Sequence, residues 1–486
     1  MSTYERLSVT DRIFLEMETH EEHLHVAVCM IFDAAPLQLP DGGGVDFERI
    51  SRYMASRLHR IPRYRQRVKF IPVEGDPIWV DDPTFNLHYH LRHAHLPHPG
   101  DERQLKRLCG RIVSQLLDRG KPLWEMWVVD GLEGDRFAVI TKVHHCMTDG
   151  VGGIELLGNL LTATPTKNFP EGPAWIPRPM PDRRQLIRDA ISRRMQAPVT
   201  LTRSLLEAAR EPRSAWEGLA ESLRGLREAG TYTTHPASET PINQPIGSHR
   251  RFDWLALDLA RIKEIKNRAG RTVNDVALSV AAGALGEFFE LRGIPLREQK
   301  ELDFRAACPV NVRTEDEAGR PGNRVSNLIV KLPLEERDPL RRLERVHETM
   351  SELKGSKQLL AMGAVESFAE FTHPSLLTYF ARMNVEKRSS NFVFTNVPGP
   401  QSRWYMLEAP LLELYPVVPI MPMQGLGIAL MSYAGGLYWG FNSDWEQLPD
   451  LHELVLATER SFEQLHEAAC ALEPAGTGER DATNAG

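Results

Sequence analysis

The stretch His144-His145-Cys146-Met147-Thr148-Asp149-Gly150 decides how the chain around it folds. It follows an apolar run over 137–143 that predicts a buried strand, and it leads into a segment from Val151 that predicts a helix. Neighbouring side chains on a strand point to opposite faces, so His144 and His145 cannot both face one substrate. A neutral imidazole accepts a proton from a hydroxyl near neutral pH, because its ordinary pKa is about 6.5. The stretch therefore predicts a general base at a strand end, with one of the two histidines in that role.

The composition of the 486 residues limits the class of protein. A hydrophobic fraction of 42% and a charged fraction of 25% are ordinary for a globular protein. The net charge of −7 argues against a nucleic-acid partner. Residues 1–12 lack the apolar core of a signal peptide, so we expect a cytoplasmic location. Scattered cysteines favour reduced thiols over a disulfide framework or a metal set; they are Cys29, Cys109, Cys146, Cys308 and Cys470.

One uncharged segment is long enough to cross a bilayer. Residues 414–441 carry no charged side chain, but prolines interrupt the first half and glycines the second. We interpret 426–433 and 437–442 as two buried strands joined by a Gly-Gly turn. This pattern favours a β-hairpin over a membrane span.

The order of predicted elements indicates two α/β units. Residues 1–164 form the first unit, which carries the His-His stretch. Residues 165–248 are first rich in proline and then helical in pattern, which is typical of a linker. Residues 249–472 form a second unit with similar element content, and residues 473–486 form a disordered tail. We expect the site to lie in the cleft between the two units.

A set of motifs in this order resembles the bacterial wax ester synthase/acyl-CoA:diacylglycerol acyltransferase family. Residues 7–26 also look like the N-terminal segment of that family, and the resemblance extends to about Cys470. It implies two chloramphenicol-acetyltransferase-like subdomains, each a mixed sheet with flanking helices, joined by a helical linker with an active-site tunnel at their interface. The motifs are His144 to Gly150, Pro122-Leu123-Trp124, Asn274-Asp275, Gly322-Asn323 and Asn396 to Pro400.

The resemblance implies an O-acyltransferase that moves a fatty acyl group from acyl-CoA to a long-chain alcohol or a diacylglycerol. It implies that His145 is the base, and we expect His144, Asp149 and Gly150 to complete the catalytic stretch. We expect no cofactor and no metal, since acyl-CoA is a substrate. We also expect peripheral contact with the inner face of the membrane or with lipid inclusions, because products and acceptors are insoluble. The substrate-binding residues that it implies are Asn274, Asp275, Pro122, Leu123, Trp124 and Asn396.

The motif residues also have alternative interpretations. His144 is more often structural than a second base, and Asp149 is expected to hold its loop through an ion pair with Arg305 or Arg313. Cys146 next to the base invites a nucleophile interpretation, although the two side chains diverge at a strand end. Asn274 is either a helix cap or a contact to the oxyanion. The Pro122-Leu123-Trp124 and Asn396 to Pro400 motifs are alternatively packing and turn elements.

Alternatives also remain at the whole-protein level. A lone HHxxxDG motif is shared with condensation domains, so a condensation-type acyltransferase with another donor or acceptor is the second hypothesis. An inactive binding protein on the same fold is the third.

His88 and His90 on a predicted strand over 85–96 invite a metal site. The arginines between Arg60 and Arg67 could meet a coenzyme A phosphate, although a solvated edge is the simpler interpretation. Residues on a helix predicted over 359–383, such as Gly363 and Ala364, are candidates for the acyl pocket. The basic segment 182–228 is either a membrane-surface helix or a bridge between the units.

Overall fold

The computed structural model describes residues 3–40, 42–72, 74–147, 150–192, 235–311, 325–355 and 388–472. Two six-stranded mixed sheets and one three-stranded sheet build this part of the chain. The strands are β1 (Glu5–Arg6), β2 (His25–Asp33), β3 (Gln66–Phe70), β4 (Pro77–Asp81), β5 (Leu91–His95), β6 (Trp124–Leu132), β7 (Arg136–His144), β8 (Arg250–Asp258), β9 (Arg305–Asn311), β10 (Val325–Lys331), β11 (Phe392–Pro398), β12 (Tyr405–Met406), β13 (Ala409–Val417), β14 (Leu426–Tyr433) and β15 (Gly436–Asp444). The helices are α1 (Val9–Met17), α2 (Phe47–Arg57), α3 (Leu87–His90), α4 (Glu102–Val113), α5 (Gly150–Leu160), α6 (Leu259–Ala269), α7 (Val273–Leu291), α8 (Leu296–Gln299), α9 (Pro339–Gly355) and α10 (Leu451–Cys470).

The first six-stranded sheet has the order β12-β13-β2-β7-β6-β5 and carries the His-His stretch. Its strands β2 and β7 are antiparallel, and their register places His25 opposite His144. Strand β7 is buried along nearly its whole length, as expected for an apolar strand with both faces covered. The predicted strand before the stretch and the predicted helix after it are both confirmed, because β7 ends at His144 and α5 begins at Gly150.

Helix α4 joins the two halves of the molecule. At its C-terminal end, the buried ammonium of Lys142 on β7 donates to the carbonyl oxygens of Ile112 (3.0 Å) and Gln115 (2.8 Å). This contact satisfies carbonyls that have no partner within the helix. Gly110 lets the helix approach strand β8 closely, since a Cβ there would lie 3.1 Å from the carbonyl oxygen of Arg250. The sheet that carries the motif is therefore tied through α4 to the second sheet.

The second six-stranded sheet has the order β10-β9-β11-β14-β15-β8 and packs against helices α6, α7, α9 and α10. Helix α7 is buried along most of its length because its sequence is rich in alanine and glycine. At Gly283 the absence of a side chain leaves room for the buried guanidinium of Arg342, which donates to the carbonyl oxygen of Ser279 (3.0 Å). The small residues of α7 therefore permit a close approach of α9.

Strand β13 comes from the second half of the chain but belongs to the first sheet, where it pairs with β2. The range 249–472, predicted as one C-terminal unit, therefore contributes strands to both large sheets; the boundaries at 164 and 248 stay a prediction. Strand β15 packs closely on β13, since a Cβ on Gly440 would lie 1.8 Å from the carbonyl oxygen of Pro416. The hydroxyls of Tyr433 and Tyr438 donate to the carbonyl oxygens of Leu411 (3.1 Å) and Leu412 (3.2 Å).

Two local predictions are wrong. Residues 87–90 form the helical turn α3 instead of a strand, because the side chain of Asn86 accepts from the backbone N–H of His88 (3.0 Å) and starts the turn. His88 and His90 therefore share no strand face. Apolar residues at helical spacing over 101–119 predict a helix that continues to Arg119. Helix α4 instead ends at Val113, where the hydroxyl of Ser114 donates to the carbonyl oxygen of Gly110 (2.7 Å).

The uncharged segment folds as predicted, with β14 and β15 as an antiparallel pair. Among the residues that the structure describes, no helix is long and apolar enough to cross a bilayer. Part of the predicted linker packs on the first unit: residues 183–192 are helical, and Leu186 and Ala190 lie in a small core with Ile71 and Val80 of the three-stranded sheet region. The rest of the basic segment from 193, the helix over 359–383 and the tail from 473 lie outside the described residues.

The packing of β13 on β15 yields a stability prediction. Gly440→Ala should lower the free energy of unfolding by about 1–3 kcal/mol, because the new methyl group forces β13 away from β15. The measurement is urea unfolding followed by circular dichroism. Gly153→Ala on α5 is the control, because a Cβ there meets no atom within 4 Å. Equal midpoints for the two variants would contradict the close packing of these strands.

Candidate active site

The His-His stretch lies where β7 ends, and residues 145–147 form a single 3-10 turn before α5. Thr148 and Asp149 lie outside the described residues, and Gly150 is the first residue of α5. The described geometry of the stretch is therefore that of His144, His145 and the elements that hold them.

His145 is held by the segment that begins with helix α1. Its backbone N–H donates to the carbonyl oxygen of Leu24 (2.8 Å), and its ring stacks on Phe14 with centroids 4.1 Å apart. The residue is half-buried and its Nδ1 atom is inaccessible to solvent. The exposed part of the residue therefore lies away from Nδ1, an arrangement suited to a ring that offers Nε2 to a substrate.

His144 is fully buried and points the other way, as the alternation of strand side chains predicts. Its backbone N–H donates to the carbonyl oxygen of Leu123 (3.0 Å). Its Nδ1 accepts from the backbone N–H of Cys146 (3.1 Å), which places the ring proton on Nε2. That nitrogen lies 3.4 Å from Oε1 of Glu18. These contacts favour the structural interpretation of His144.

Glu18, just after α1, is the centre of a buried polar cluster that lies against His144. Its side chain is 3% exposed, and its Oε1 lies 2.9 Å from Nε2 of His25, the residue opposite His144. Its Oε2 accepts from the Nη2 (2.9 Å) and Nε (3.2 Å) atoms of Arg119. Burial raises the pKa of Glu18, but the contacts with His144 and His25 outweigh this and hold that pKa far below its usual range. Glu18 is therefore a carboxylate that orients the histidine next to the base.

Sequence reasoning missed the cluster of Glu18, His25 and Arg119. The N-terminal segment was recognised as similar to that of a family, but no role was assigned to its polar residues. Burial lowers the pKa of His25 to about 3, so its ring is neutral at physiological pH. A Glu and a His that precede and begin a predicted buried strand were the signal available in the sequence.

The Pro122-Leu123-Trp124 motif contacts the end of β7 at His144, the residue before His145. All three residues are buried. The indole of Trp124 is stacked with Tyr64 (centroids 4.3 Å apart) and His90 (4.7 Å), and its Nε1 donates to the carbonyl oxygen of Tyr64 (2.8 Å). The carbonyl oxygen of Leu123 holds the backbone of His144. The contacts favour the packing interpretation of this motif, and its substrate-binding role stays a prediction.

The Asn274-Asp275 motif lies at the start of α7. The N-cap is Thr272, whose hydroxyl accepts from the backbone N–H of Asp275 (3.2 Å), while the Asp275 carboxylate accepts from the backbone N–H of Thr272 (3.0 Å). The interpretation of Asn274 as the cap is therefore wrong, because Thr272 and Asp275 complete the capping box. Asp275 is buried and its Oδ2 lies 2.9 Å from Nδ1 of His347. Asn274 is half-buried in the first helical turn, and its contact to an oxyanion stays a prediction.

Asn396 lies on β11, opposite Leu430 of β14. The turn after β11 is closely packed: the backbone N–H of Gly399 donates to Oγ of Ser432 (3.2 Å), and a Cβ on Gly399 would lie 2.3 Å from the Ser432 carbonyl oxygen. This packing explains the glycine of the Asn396 to Pro400 motif as an architectural requirement. A substrate contact of Asn396 stays a prediction.

Cys146 does not have the surroundings of a nucleophile. It is buried beside Leu15, Trp79 and Leu123, and burial raises its pKa well above the usual value of a thiol. A reactive cysteine requires a stabilised thiolate, so the nucleophile interpretation fails on this geometry.

The metal hypothesis for His88 and His90 is not supported by their positions. His90 is buried and its Nδ1 lies 2.8 Å from the carbonyl oxygen of Trp124. Within the described ranges, a group of three possible metal ligands occurs at Glu264, His466 and Cys470, on α6 and α10. Arg261 and Arg268 ion-pair or hydrogen-bond with members of that group, which disfavours a cation there.

The family model for the wax ester synthase/diacylglycerol acyltransferase catalytic domain matches residues 7–277, and the model for its C-terminal domain matches residues 321–466. The chain belongs to the wax ester synthase/diacylglycerol acyltransferase family. It is 31% identical to a probable diacylglycerol O-acyltransferase of Mycobacterium tuberculosis over 94% of this chain and 95% of the relative. It is 28% identical to the O-acyltransferase WSD of Acinetobacter baylyi over 95% of this chain and 96% of the relative.

The fold agrees with this assignment. The wax ester synthase/diacylglycerol acyltransferase of Marinobacter aquaeolei VT8 has a similar structure, with a TM-score of 0.68, 24% identity and coverage of 96% of this chain and 100% of that one. A starter condensation domain of rhizomide synthetase has a TM-score of 0.58, 13% identity and coverage of 98% and 96%. The predicted fold class of two mixed-sheet halves is thereby confirmed.

The buried His25 makes the stability of this family member depend on pH. Its folded-state pKa of about 3 lies below the unfolded value of about 6.5, so only the unfolded chain takes up this proton as the pH falls below about 6.5. The stability due to neutral His25 is complete above that pH and is lost towards pH 3. His25→Gln should reduce the slope between pH 6.5 and 5 by up to roughly 1.4 kcal/mol per pH unit.

Urea unfolding at several pH values measures this slope. The exposed His88 provides the control, and His88→Gln should keep the wild-type slope. A slope that is unchanged in His25→Gln would contradict the neutral, buried state of His25.

Proposed function

We propose that this chain is an O-acyltransferase that moves a fatty acyl group from acyl-CoA to the hydroxyl of a long-chain alcohol or a diacylglycerol, with His145 as the general base. The observation that carries the proposal is the half-buried imidazole of His145, fixed by Phe14 and Leu24 at the end of a buried strand. An oriented base of this kind is what an alcohol needs to attack a thioester. Family membership supplies the reaction class.

In the proposed reaction, both substrates are bound together. Nε2 of His145 takes the proton of the acceptor hydroxyl while its oxygen attacks the thioester carbonyl. A C–O bond forms, and a tetrahedral oxyanion develops that requires hydrogen-bond donors. Asn274 is our candidate donor. The C–S bond then breaks, and the coenzyme A thiolate receives the proton from the imidazolium. The ester and the free thiol are the products, and the base returns to its neutral form.

The rest of the motif supports the position of the base. Gly150 begins α5 directly after the loop, and Asp149 is proposed to hold that loop through an ion pair. Of its two candidate partners, Arg305 donates to the carbonyl oxygen of His235 (3.0 Å) and contacts Asp303, while Arg313 lies outside the described residues. Arg305 and Arg313 both remain candidate partners of Asp149.

The choice of substrates rests on relatives. The curated relatives are named as diacylglycerol O-acyltransferases and an O-acyltransferase. A starter condensation domain of the same fold was solved with C8-CoA, so this architecture accepts acyl-CoA in another protein. A condensation-type reaction is the alternative, but that likeness rests on 13% identity and shows the fold alone.

We also propose that the protein contacts membranes or lipid inclusions at the periphery from the cytoplasm, since its acceptors and products are insoluble. Phe70, Ile176 and Ile191 are large apolar side chains that face solvent. Phe70 lies on the three-stranded sheet, and Ile176 and Ile191 lie on the connector over residues 165–192, part of which packs on that sheet. Arg188 in the same connector is 78% exposed on its side chain. Apolar and basic side chains together are typical of a membrane-surface segment.

Replacing the base tests the proposal directly. Purified protein is given palmitoyl-CoA with hexadecanol or dioleoylglycerol, and release of free thiol is followed. His145→Ala should lower acceptor-dependent release about a hundred- to ten-thousandfold, which is the usual contribution of a general base. Cys146→Ala is the matched control, because the adjacent thiol is buried and should be dispensable.

Three outcomes of this experiment would each contradict a different part of the proposal. Release without any dependence on a lipid alcohol would remove the proposed acceptor class. Release that survives the loss of His145 would show that another group is the base. Activity lost in Cys146→Ala while its folding is retained would restore the nucleophile interpretation.

Glu18→Gln tests the cluster behind the base. The substitution keeps the shape but removes the charge that orients His144, so kcat should fall about ten- to a hundredfold, by analogy with outer partners of metal-bound histidines. The KM for palmitoyl-CoA should stay unchanged, because Glu18 is buried away from solvent. Glu16→Gln is the control, since Glu16 pairs with Arg12 on helix α1 (2.6 Å). Equal kcat values for both variants would show that the buried carboxylate has no positioning role.

A further inference from the structure

A cavity of about 710 Å³ lies between helix α2 and the connector over 167–175. It takes no part in the acyl-transfer steps proposed above. Its lining combines basic and aromatic side chains, the first from α2 and the strand region that follows it, the second mainly from the connector. The residues that matter here are Arg49, Arg52, Arg65, Lys167, Phe169 and Trp175.

The charges at this cavity favour an anion. Four cationic side chains line it, while Glu171 is the acidic residue among the lining side chains. Arg49 is held in place, since its Nη2 donates to Glu408 (2.6 Å) and to the carbonyl oxygen of Lys167 (2.8 Å). Arg52 and Lys167 are exposed. A surplus of positive charge therefore remains after the acidic neighbours are counted.

Arg65 provides the second, independent observation. The residue is only 8% exposed, and its guanidinium stacks over the ring of Trp175 at 4.0 Å. Among the described residues, the Nε of Arg65 and the Nε1 of Trp175 are buried donors with no hydrogen-bond acceptor. The carboxylate of Asp81 is already held by Arg178 and Gln66. A buried donor without an acceptor typically costs about 1–3 kcal/mol, so the arrangement calls for an acceptor from outside the chain.

We propose that this cavity binds a phosphate monoester carried on a larger organic molecule. Arginine guanidinium groups and phosphate oxygens match in charge and in hydrogen-bond geometry. The aromatic rings of Phe85, Phe169 and Trp175 give the rest of the ligand a flat apolar surface. The volume exceeds that of a phosphate ion several times, so the ligand has a body as well as a charge. Two sources fit this chemistry, the 3′-phosphorylated nucleotide end of an acyl-CoA and the head group of phosphatidic acid.

The cavity is connected to the scaffold of the base without being part of it. Arg65 follows Tyr64, whose ring stacks on Trp124 and whose carbonyl oxygen accepts from the Trp124 indole. Leu123, the residue before Trp124, accepts from the backbone N–H of His144 through its carbonyl oxygen. Phe85, which lines the cavity, stacks on His90, and His90 stacks on Trp124, so the cavity adjoins the aromatic stack that supports the catalytic stretch.

Direct binding tests the site without relying on catalysis. Calorimetry of the full-length His145→Ala protein, with adenosine 3′,5′-bisphosphate as the probe and adenosine as its phosphate-free counterpart, should show binding of the bisphosphate alone. Arg65→Gln should weaken that binding about tenfold or more, as expected for loss of charge-assisted hydrogen bonds. Because Arg65 is buried, the double variant Arg52→Glu/Lys167→Glu gives the same test with exposed side chains. Arg103→Glu on α4 is the control, since Arg103 is exposed and does not line the cavity.

Two further measurements distinguish the two possible sources of the phosphate. A nucleotide site predicts that the double variant raises the KM for palmitoyl-CoA with kcat unchanged. A head-group site predicts weaker sedimentation with phosphatidylcholine vesicles that contain phosphatidic acid, and an unchanged KM.

The inference is overturned if neither the bisphosphate nor the phosphatidic acid vesicles bind. Binding that is equal in the double variant and in Arg103→Glu also overturns it. These results are independent of the proposed function, because binding is measured in protein that lacks the base.

Discussion

The carboxylate of Glu18 is the interaction on which the candidate site depends. It lies between His25 and His144, which face each other across the β2–β7 pair, and it extends to Arg119 beyond α4. Burial of a carboxylate costs several kcal/mol unless partners compensate for the lost water. Here the partners come from both central strands and from the segment after α4. The carboxylate is therefore stable only when these elements have docked around it, and their docking in turn fixes the strand end that carries the proposed base.

The first sheet contains one long strand, β13, that comes from the C-terminal half of the chain. Because β13 pairs with β2 while β15 packs on β13, the strand that supports the motif is held from the C-terminal half of the chain. Trp254 of β8 stacks on Tyr415 of β13 with centroids 4.6 Å apart, and Lys106 of α4 pairs with Asp253 (2.6 Å). Aromatic stacking and an ion pair therefore join the two halves of the chain.

The sequence predicted elements well where a local pattern decides them, as for β7, α5 and the β14–β15 hairpin. It failed where a side chain far along the chain competes with the pattern. The helical period through Leu117 predicted a long α4, yet the helix ends at Val113, where the Ser114 hydroxyl donates to the carbonyl oxygen of Gly110. Lys142, 30 residues after Ile112, also donates to the carbonyl oxygen of Ile112. The place of β13 in the first sheet was likewise invisible, since strand order is set by tertiary packing. At the site, the motif led to the prediction that His145 is the base, but the role of Glu18 depends on strand register and on Arg119, and neither leaves a periodic signal.

The geometry divides two tasks between adjacent histidines. His144 points inward to a carboxylate, and its Nδ1 is occupied by the backbone of the turn, so its ring cannot deliver a proton to solvent or substrate. His145 is held through its backbone and by stacking on Phe14, which fix its position, and the residue is only half-buried. A single histidine could not satisfy both demands, because a ring whose two nitrogens are engaged in the interior has no atom left for catalysis. In the proposed mechanism the pair at the strand end is therefore one residue that anchors and one that reacts, and strand alternation keeps them apart.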